Sequence, residues 1–386
     1  MSAFPIGAAV TLEELERDPH PALARLRAAE PVSWLPALNG WLVTRRDLAV
    51  QVMRDTTTYT VDDPRFSTAQ VVGPSMLSLD GEAHTRHRQP FEYPFGLART
   101  RERFTAYVEA EAARLVDTIA PAGKAELRRS VAGPLSVAVM AEALGLPDVD
   151  ARTVLTWYDA IVASVSGVAS GRAVTVEGTT AFGRLREHVA AAVQTADPDR
   201  SMVAAAGRDG LAVDEVVSNA AVLLFGGIET TEGMICNAVW HLLSHPDQLD
   251  LVRASPDLLA NAVEESLRLE PAAAVVDRYA TRDADLASTT IPRGDLVTVS
   301  LAGAGRDPDV FADPDVFDVR RANARRHLAF AGGPHICVGM HLARLEAVTT
   351  LRTLFSRFPD LHLDPTRPTS PTGLVFRKPQ SLPVRW

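Results

Sequence analysis

The stretch from Asp214 to Ser244 limits the possible folds of this chain more than any other part of it. It reads as one helix of about 31 residues, roughly 46 Å at 1.5 Å per residue, with Pro246 placed to stop it. Apolar side chains occupy nearly every face, including Val216, Val217, Ala221, Leu224, Ile228, Ile235 and Val239. That is the pattern of a helix enclosed by protein on all sides. Its longest apolar run, Ala220 to Ile228, ends at Glu229 and is well short of the roughly 20 residues needed to span a bilayer.

Segments at Leu12 to Ala29, Arg101 to Ile119, Ser130 to Leu144, Thr180 to Ala196 and Asp257 to Leu269 carry apolar residues at three- and four-residue spacing, so the fold class is mainly α. Short extended stretches at Pro31 to Leu35, Trp41 to Thr44 and Asp295 to Leu301 predict small peripheral β-sheets. The β-rich parts are expected at about 31–45 and 275–302, together with the C-terminal segment 370–386. No linker, charge block or repeat divides the 386 residues, which are 46% hydrophobic, so one domain over 1–386 is expected. The N-terminus has no basic stretch leading into an apolar core, which predicts neither a secretion signal nor a membrane anchor. Two cysteines fit a reducing compartment, hence the cytoplasm, and a net charge of -9 argues against a nucleic-acid partner.

Four constellations carry chemistry. Phe330-Ala-Gly-Gly-Pro-His335-Ile-Cys337-Val-Gly339 places a cysteine in a glycine-rich loop just ahead of an amphipathic helix. There the helix dipole and free N–H groups stabilise a thiolate, and the glycines let backbone approach a flat ligand. A buried structural cysteine would account for Cys337 alone, but not for its neighbours. The second is Gly226-Gly-Ile-Glu229-Thr230-Thr231 inside the long helix. Two mid-helix glycines cost about 1 kcal/mol each relative to alanine, and an acid in an apolar segment needs a partner or water. A local opening of the helix answers both; a packing notch with a surface acid is the alternative. Thr231 could share the role of Thr230.

The third, Glu265-Ser-Leu-Arg268, puts an acid and a base on one helical face, a spacing also found at Glu14-Arg17 and Glu111-Arg114, where surface pairs are expected. The fourth is Asp80-Gly-Glu-Ala-His84-Thr-Arg-His-Arg88, whose His84 and Arg88 suit an anionic carboxylate if they do not form a solvated basic face.

In this order the motifs resemble the cytochrome P450 family, from about Asp80 to Trp386. The resemblance implies a long central helix above heme b (iron protoporphyrin IX), with Cys337 as the axial metal ligand and Phe330 packed beside it. His84, Arg88, Arg278 and His335 would meet the heme propionates. Gly226, Glu229 and Thr230 would form the oxygen-side catalytic group, with Glu229 linked to solvent protons. Glu265, Arg268 and Arg321 would brace the cysteine loop, with Arg320 as a possible substitute for Arg321. Ala331 stands where the family pattern has a glycine, and Gly81 and Glu82 stand where it usually has prolines.

The implied activity is that of a monooxygenase, an oxidoreductase that inserts one atom of dioxygen into a hydrophobic small molecule. Leu223, Gly227, Ala273, Val275, Val276 and Leu374 are expected to line the substrate pocket. Loops near 56–76 and 164–180 would set its specificity. With no flavin or iron-sulfur segment in the chain, a separate ferredoxin and ferredoxin reductase would supply electrons through Arg86, His87, Arg99, Arg325, Arg326, His341 and Arg344. The competing readings are oxidative coupling, desaturation or peroxide-driven oxidation on the same heme-thiolate, and a non-catalytic heme sensor or carrier.

Overall fold

The computed structural model describes residues 3–146, 149–169 and 172–386. The long helix runs unbroken over Val213–Ser244, 32 residues, and is buried on several faces by Val216, Ala220, Leu224, Ile235 and Val239. At its start the Glu215 carboxylate accepts the Ala212 N–H at 2.9 Å, which satisfies one of the donors a helix leaves free. At its end the chain turns at His245 into a new helix, Pro246–Ala254, with proline in the first turn. Helices Gly133–Leu144, Val176–Thr195, Leu258–Leu269 and Met340–Arg357 pack around it.

One predicted helix is divided. Leu12 to Ala29 forms Leu12–Arg17 and His20–Ala29, because Pro19 lacks an N–H and pushes Asp18 into an extended conformation at φ -148°. Apolar spacing continues across the break, so periodicity alone reads through it. The segment 164–180, expected as a loop, consists largely of the ends of helices Ala151–Ala169 and Val176–Thr195; residues 170 and 171 of it lie outside the described residues.

The main sheet has five strands in the order Val32–Leu35, Gly40–Val43, Leu296–Ser300, Val275–Ala280, Tyr59–Thr60. Gly40–Val43 lies parallel to Leu296–Ser300, and the other pairs are antiparallel. The C-terminal segment does not join this sheet. Pro371–Thr372 and Lys378–Pro379 form their own hairpin, while Pro383–Arg385 pairs with Lys124–Glu126 and His362–Leu363. The hairpin is nevertheless tied to the main sheet's approach, since Ala274 N–H donates to Val375 O at 2.8 Å and Arg377 N–H to Ala272 O at 2.9 Å.

Behind the cysteine loop, Glu265 and Arg268 are fully buried and joined by two bonds of 2.7 and 2.8 Å. Arg321 adds a third contact to the same carboxylate at 2.8 Å, whereas the neighbouring Arg320 is exposed and takes no part. Arg268 also donates to the carbonyls of Gly305, Pro314 and Val316, and Arg321 to those of Ala312, Asp313 and Val316. A desolvated ion pair is tolerated when its remaining donors are satisfied in this way. By contrast, Glu111 and Arg114 do pair at the surface, as expected.

Candidate functional site

An interior cavity of about 260 Å³ lies between the long helix and the loop that precedes Met340–Arg357. From the loop it is lined by Phe330, His335, Cys337 and Gly339; from the long helix by Leu223, Gly226, Gly227 and Thr230. The loop is held by a few backbone contacts. Ala331 N–H donates to Leu328 O at 2.8 Å, and Cys337 N–H to Phe330 O at 2.9 Å. Gly333 has φ +69°, and a Cβ there would stand 2.2 Å from Met53 O, so only glycine fits. Ala331 also takes a left-handed conformation, φ +57°, at a methyl cost that glycine would not incur.

Cys337 has a solvent-accessible side chain, yet burial pushes its thiol pKa up. The two facts agree because the exposed surface faces the interior cavity. The Gly339 N–H, Arg88 and Arg344 act in the opposite direction, favouring thiolate. The desolvation cost is one that a coordinated metal cation offsets, since it deprotonates its thiol ligand.

The predicted carboxylate partners gather around Asp80. His335 Nε2 is 2.8 Å from Asp80 Oδ1, and the His84 and His335 rings are 4.3 Å apart. His335 thus spends a ring nitrogen on a side chain of this chain, a contact that motif spacing does not reveal. Burial would raise the Asp80 pKa, but bonds from His335, the Thr60 hydroxyl and the Val61 N–H hold it at about 2. Burial, together with the charges of His335 and Arg88, pushes His84 down to about 4. Arg88 lines the cavity while its Nε donates to Glu92 at 2.8 Å. Arg278 is buried within the field of Asp80 and gives one donor to Asp277 O at 2.7 Å. Two buried atoms in this cluster, His84 Nε2 and Arg278 Nε, have no partner. Unpaired buried polar atoms are costly, and a ligand that bonds to both of these would remove that cost. The set fits an anion-bearing flat group, and the carboxylate-bearing heme implied by the motifs meets it.

On the long helix, the expected opening is absent: the helix is continuous through Gly226–Thr231. Instead, the Thr230 hydroxyl donates to Gly226 O at 2.5 Å. The two glycines have different roles. A Cβ on Gly226 would meet nothing within 4 Å, whereas one on Gly227 would stand 2.3 Å from Met140 Sδ. Thr231 is buried and also reaches the cavity.

Glu229, expected to link to solvent protons, does not line the cavity and sits in a largely buried charge cluster. Lys378 Nζ is 2.6 Å from its carboxylate, and the Tyr158 hydroxyl donates to it. Burial would raise its pKa, but these two partners outweigh that and lower it. Lys378 also reaches Glu232 at 3.0 Å, and Arg128 pairs with Glu232. Lys378 and Tyr158 lie far from Glu229 in sequence, so no local spacing could have identified them.

Ala273 and Val276 line the cavity as expected, together with Ala272. Val275 and Leu374 do not. The two-residue strand period turns Val275 to the opposite face, and both line a separate small cleft with Leu15, Leu23 and Leu42. At Gly373, φ +115°, the hairpin bonds to Glu16 O, which carries Leu374 toward the N-terminal helices. Met76 and Met140, which no motif marked, take part in the cavity wall. A further missed residue is Glu264, the buried neighbour of Glu265. It binds Arg344 and His327 beside the loop, and the acidic doublet was the only signal for it.

The family model described as Cytochrome P450 matches residues 199–383. Over 97% of its length the chain is 37% identical to the cytochrome P450 monooxygenase PikC of Streptomyces venezuelae, covering 92% of that protein. It is 33% identical to nocardicin C N-oxygenase of Nocardia uniformis subsp. tsuyamanensis, covering 100% of this chain and 98% of the relative. Among solved structures, P450BioI in complex with an acyl carrier protein superimposes with a TM-score of 0.87 at 29% identity, over 98% of this chain and 100% of that one. CalO2 gives 0.87 at 28% identity, over 100% and 99%.

Replacing Ala331 with glycine removes the left-handed methyl cost while loosening the unfolded chain, effects of about 1–2 and 0.4–1 kcal/mol of opposite sign. The expected net result is a protein more stable by up to about 1.6 kcal/mol in urea denaturation. A loss of 1 kcal/mol or more would show that the methyl group makes contacts the loop needs.

Proposed function

Because the chain belongs to the cytochrome P450 family and is a heme-thiolate monooxygenase, we propose that Cys337 is its axial ligand and that a neutral hydrophobic small molecule is its substrate. The bound heme supplies the iron at which dioxygen is reduced and cleaved, and a thiolate ligand favours O–O cleavage. The observation that carries this reading is that one cavity is lined by both Cys337 and the Gly226–Thr230 pair. His84, Arg88 and Arg278 would hold the propionates, with Asp80 orienting His335 beside them. Phe330, which lines the same cavity, would pack next to the ligand.

Thr230 is the group that handles protons at the cavity wall. Its hydroxyl is parked on the Gly226 carbonyl, beside the open space left by the missing Gly226 side chain. Glu229 lies behind it as the carboxylate that exchanges protons once its contacts with Lys378 and Tyr158 loosen. The distal wall is apolar, with Leu223, Met140, Ala272, Ala273 and Val276 facing the substrate space. A charged substrate would find no counter-ion among these side chains, so binding rests on shape and burial. Gly227 matters here because it lets Met140 lie against the helix instead of filling the cavity.

Electrons would come from a ferredoxin and its reductase. Of the cations expected to receive that partner, several are committed elsewhere. Arg86 pairs with Glu215, His87 is buried, Arg99 pairs with Glu102, and Arg344 is bound to Glu264. Arg325 and Arg326 remain exposed, and they form the core of the proposed docking patch. Among the described residues no helix is long and apolar enough to cross a membrane, which supports a cytoplasmic enzyme.

Two measurements test the proposal. In a reconstituted ferredoxin system, using a substrate found by its heme spectral shift, Thr230→Ala should lower product formed per NADH by at least about tenfold while NADH use persists. Intact coupling would remove Thr230 from proton handling. Reversing Arg325 and Arg326 to glutamate should raise the apparent KM for ferredoxin by about tenfold, equivalent to about 1.4 kcal/mol, with little change in kcat. An unchanged KM would place the partner elsewhere.

A further inference from the structure

Glu264 is buried on the helix Leu258–Leu269, immediately before the bracing Glu265. Its carboxylate takes a two-pronged contact from Arg344, at 2.6 Å from Nε and 3.0 Å from Nη2. His327 Nε2 approaches the same carboxylate at 3.0 Å. Burial alone would raise the Glu264 pKa, but His327 and Arg344 hold it at about 2, so it is an anion. The state of His327 follows from its other nitrogen. His327 Nδ1 lies 3.1 Å from the Ala329 N–H, which can only donate, so Nδ1 carries no proton and Nε2–H donates to Glu264. His327 is therefore neutral. Among the described residues, Arg344 is the one full cation hydrogen-bonded to Glu264, with Arg325 farther off at 3.9 Å.

Arg344 in turn faces the ligand loop. Its guanidinium carbon is 4.4 Å from the centre of the Phe330 ring, and the Phe330 carbonyl accepts the Cys337 N–H at 2.9 Å. The charge of Arg344 also acts directly on Cys337. The contact over the Phe330 ring and the two-pronged carboxylate contact together fix where this cation sits, something a lysine would do less rigidly.

We infer that Glu264 is a positioning residue that clamps Arg344 over Phe330, and that the balance of these two opposite charges sets the reduction potential of the iron held by Cys337. The inference rests on the reading of Cys337 as axial ligand. Reduction adds one negative charge to the metal site, so a cation behind the thiolate favours the reduced form and an anion disfavours it. Removing Glu264 leaves Arg344 unopposed and raises the potential. Removing Arg344 leaves the buried carboxylate with a neutral histidine and the more distant Arg325 as its partners, and lowers it.

The test is a redox titration of the heme-loaded protein without turnover, with the carbon monoxide spectrum of each reduced variant recorded alongside. Glu264→Gln should shift the ferric/ferrous equilibrium toward ferrous by up to about tenfold, or about 59 mV for a one-electron couple. Arg344→Gln should shift it the other way by a similar factor. The double variant should return close to wild type, and Arg344→Lys, which keeps the charge, should stay near it. Two single variants that move together, or neither moving while the thiolate spectrum is intact, would overturn the inference, because mere loosening of the loop has no reason to change sign. If Arg344→Gln does not retain heme, the comparison of Glu264→Gln with Arg344→Lys decides. A wild-type protein lacking a thiolate spectrum would instead defeat the ligand reading itself.

Discussion

The site depends on a pair of charges that never meets water. Glu265 and Arg268 are both fully buried and held together by two short bonds. Arg268 extends from that pair to the backbone carbonyls of Gly305, Pro314 and Val316, and Arg321 ties in those of Ala312 and Asp313 while sharing Val316. The segment so anchored leads directly into the cysteine loop. A one-sided break in such a network leaves an uncompensated buried charge, at about 3–5 kcal/mol, so the segment 305–316 ahead of the loop is held electrostatically and not by apolar packing alone. Glu264 repeats the device one residue earlier, on the side facing Arg344 and His327.

The loop and the long helix then confront each other across the cavity with complementary equipment. The loop contributes a thiol whose desolvation cost calls for a metal cation, and beside it lie His84 and Arg278, each with a buried polar atom that has no partner. The helix contributes Gly226, which leaves space, and Thr230, whose hydroxyl is fixed by that glycine's carbonyl. The charges that the proposal assigns to proton supply stay behind the helix. Glu229, Lys378, Glu232 and Arg128 form a buried cluster outside the apolar substrate wall.

Much of this was legible in the sequence wherever the signal is local. The long helix follows from its own apolar pattern, and the cysteine loop from glycines whose need is visible in the +69° φ of Gly333. Likewise, the bracing of Glu265 by Arg268 is a matter of helical spacing. What escaped has non-local partners. Asp80 meets His335, Glu229 meets Lys378, and Glu264 meets Arg344, each from segments far apart in the chain. Face assignment failed for Val275 and Leu374 because small apolar residues surround both faces of the strand, and only packing against Leu15 and Leu23 decides which face looks inward. Pro19 was present to be read, but a continuing apolar pattern outweighed it.

The central claim is that Cys337 ligates iron, and the chain offers an internal control in its other cysteine. Cys236 is buried in the long helix, where burial pushes its thiol well up. The most direct measurement is the carbon monoxide difference spectrum of the reduced, heme-loaded protein for Cys337→Ala and Cys236→Ala side by side. The account predicts that the red-shifted band of a thiolate-ligated complex is lost in the first variant and retained in the second. A band that survives Cys337→Ala, or that disappears only in Cys236→Ala, would contradict it.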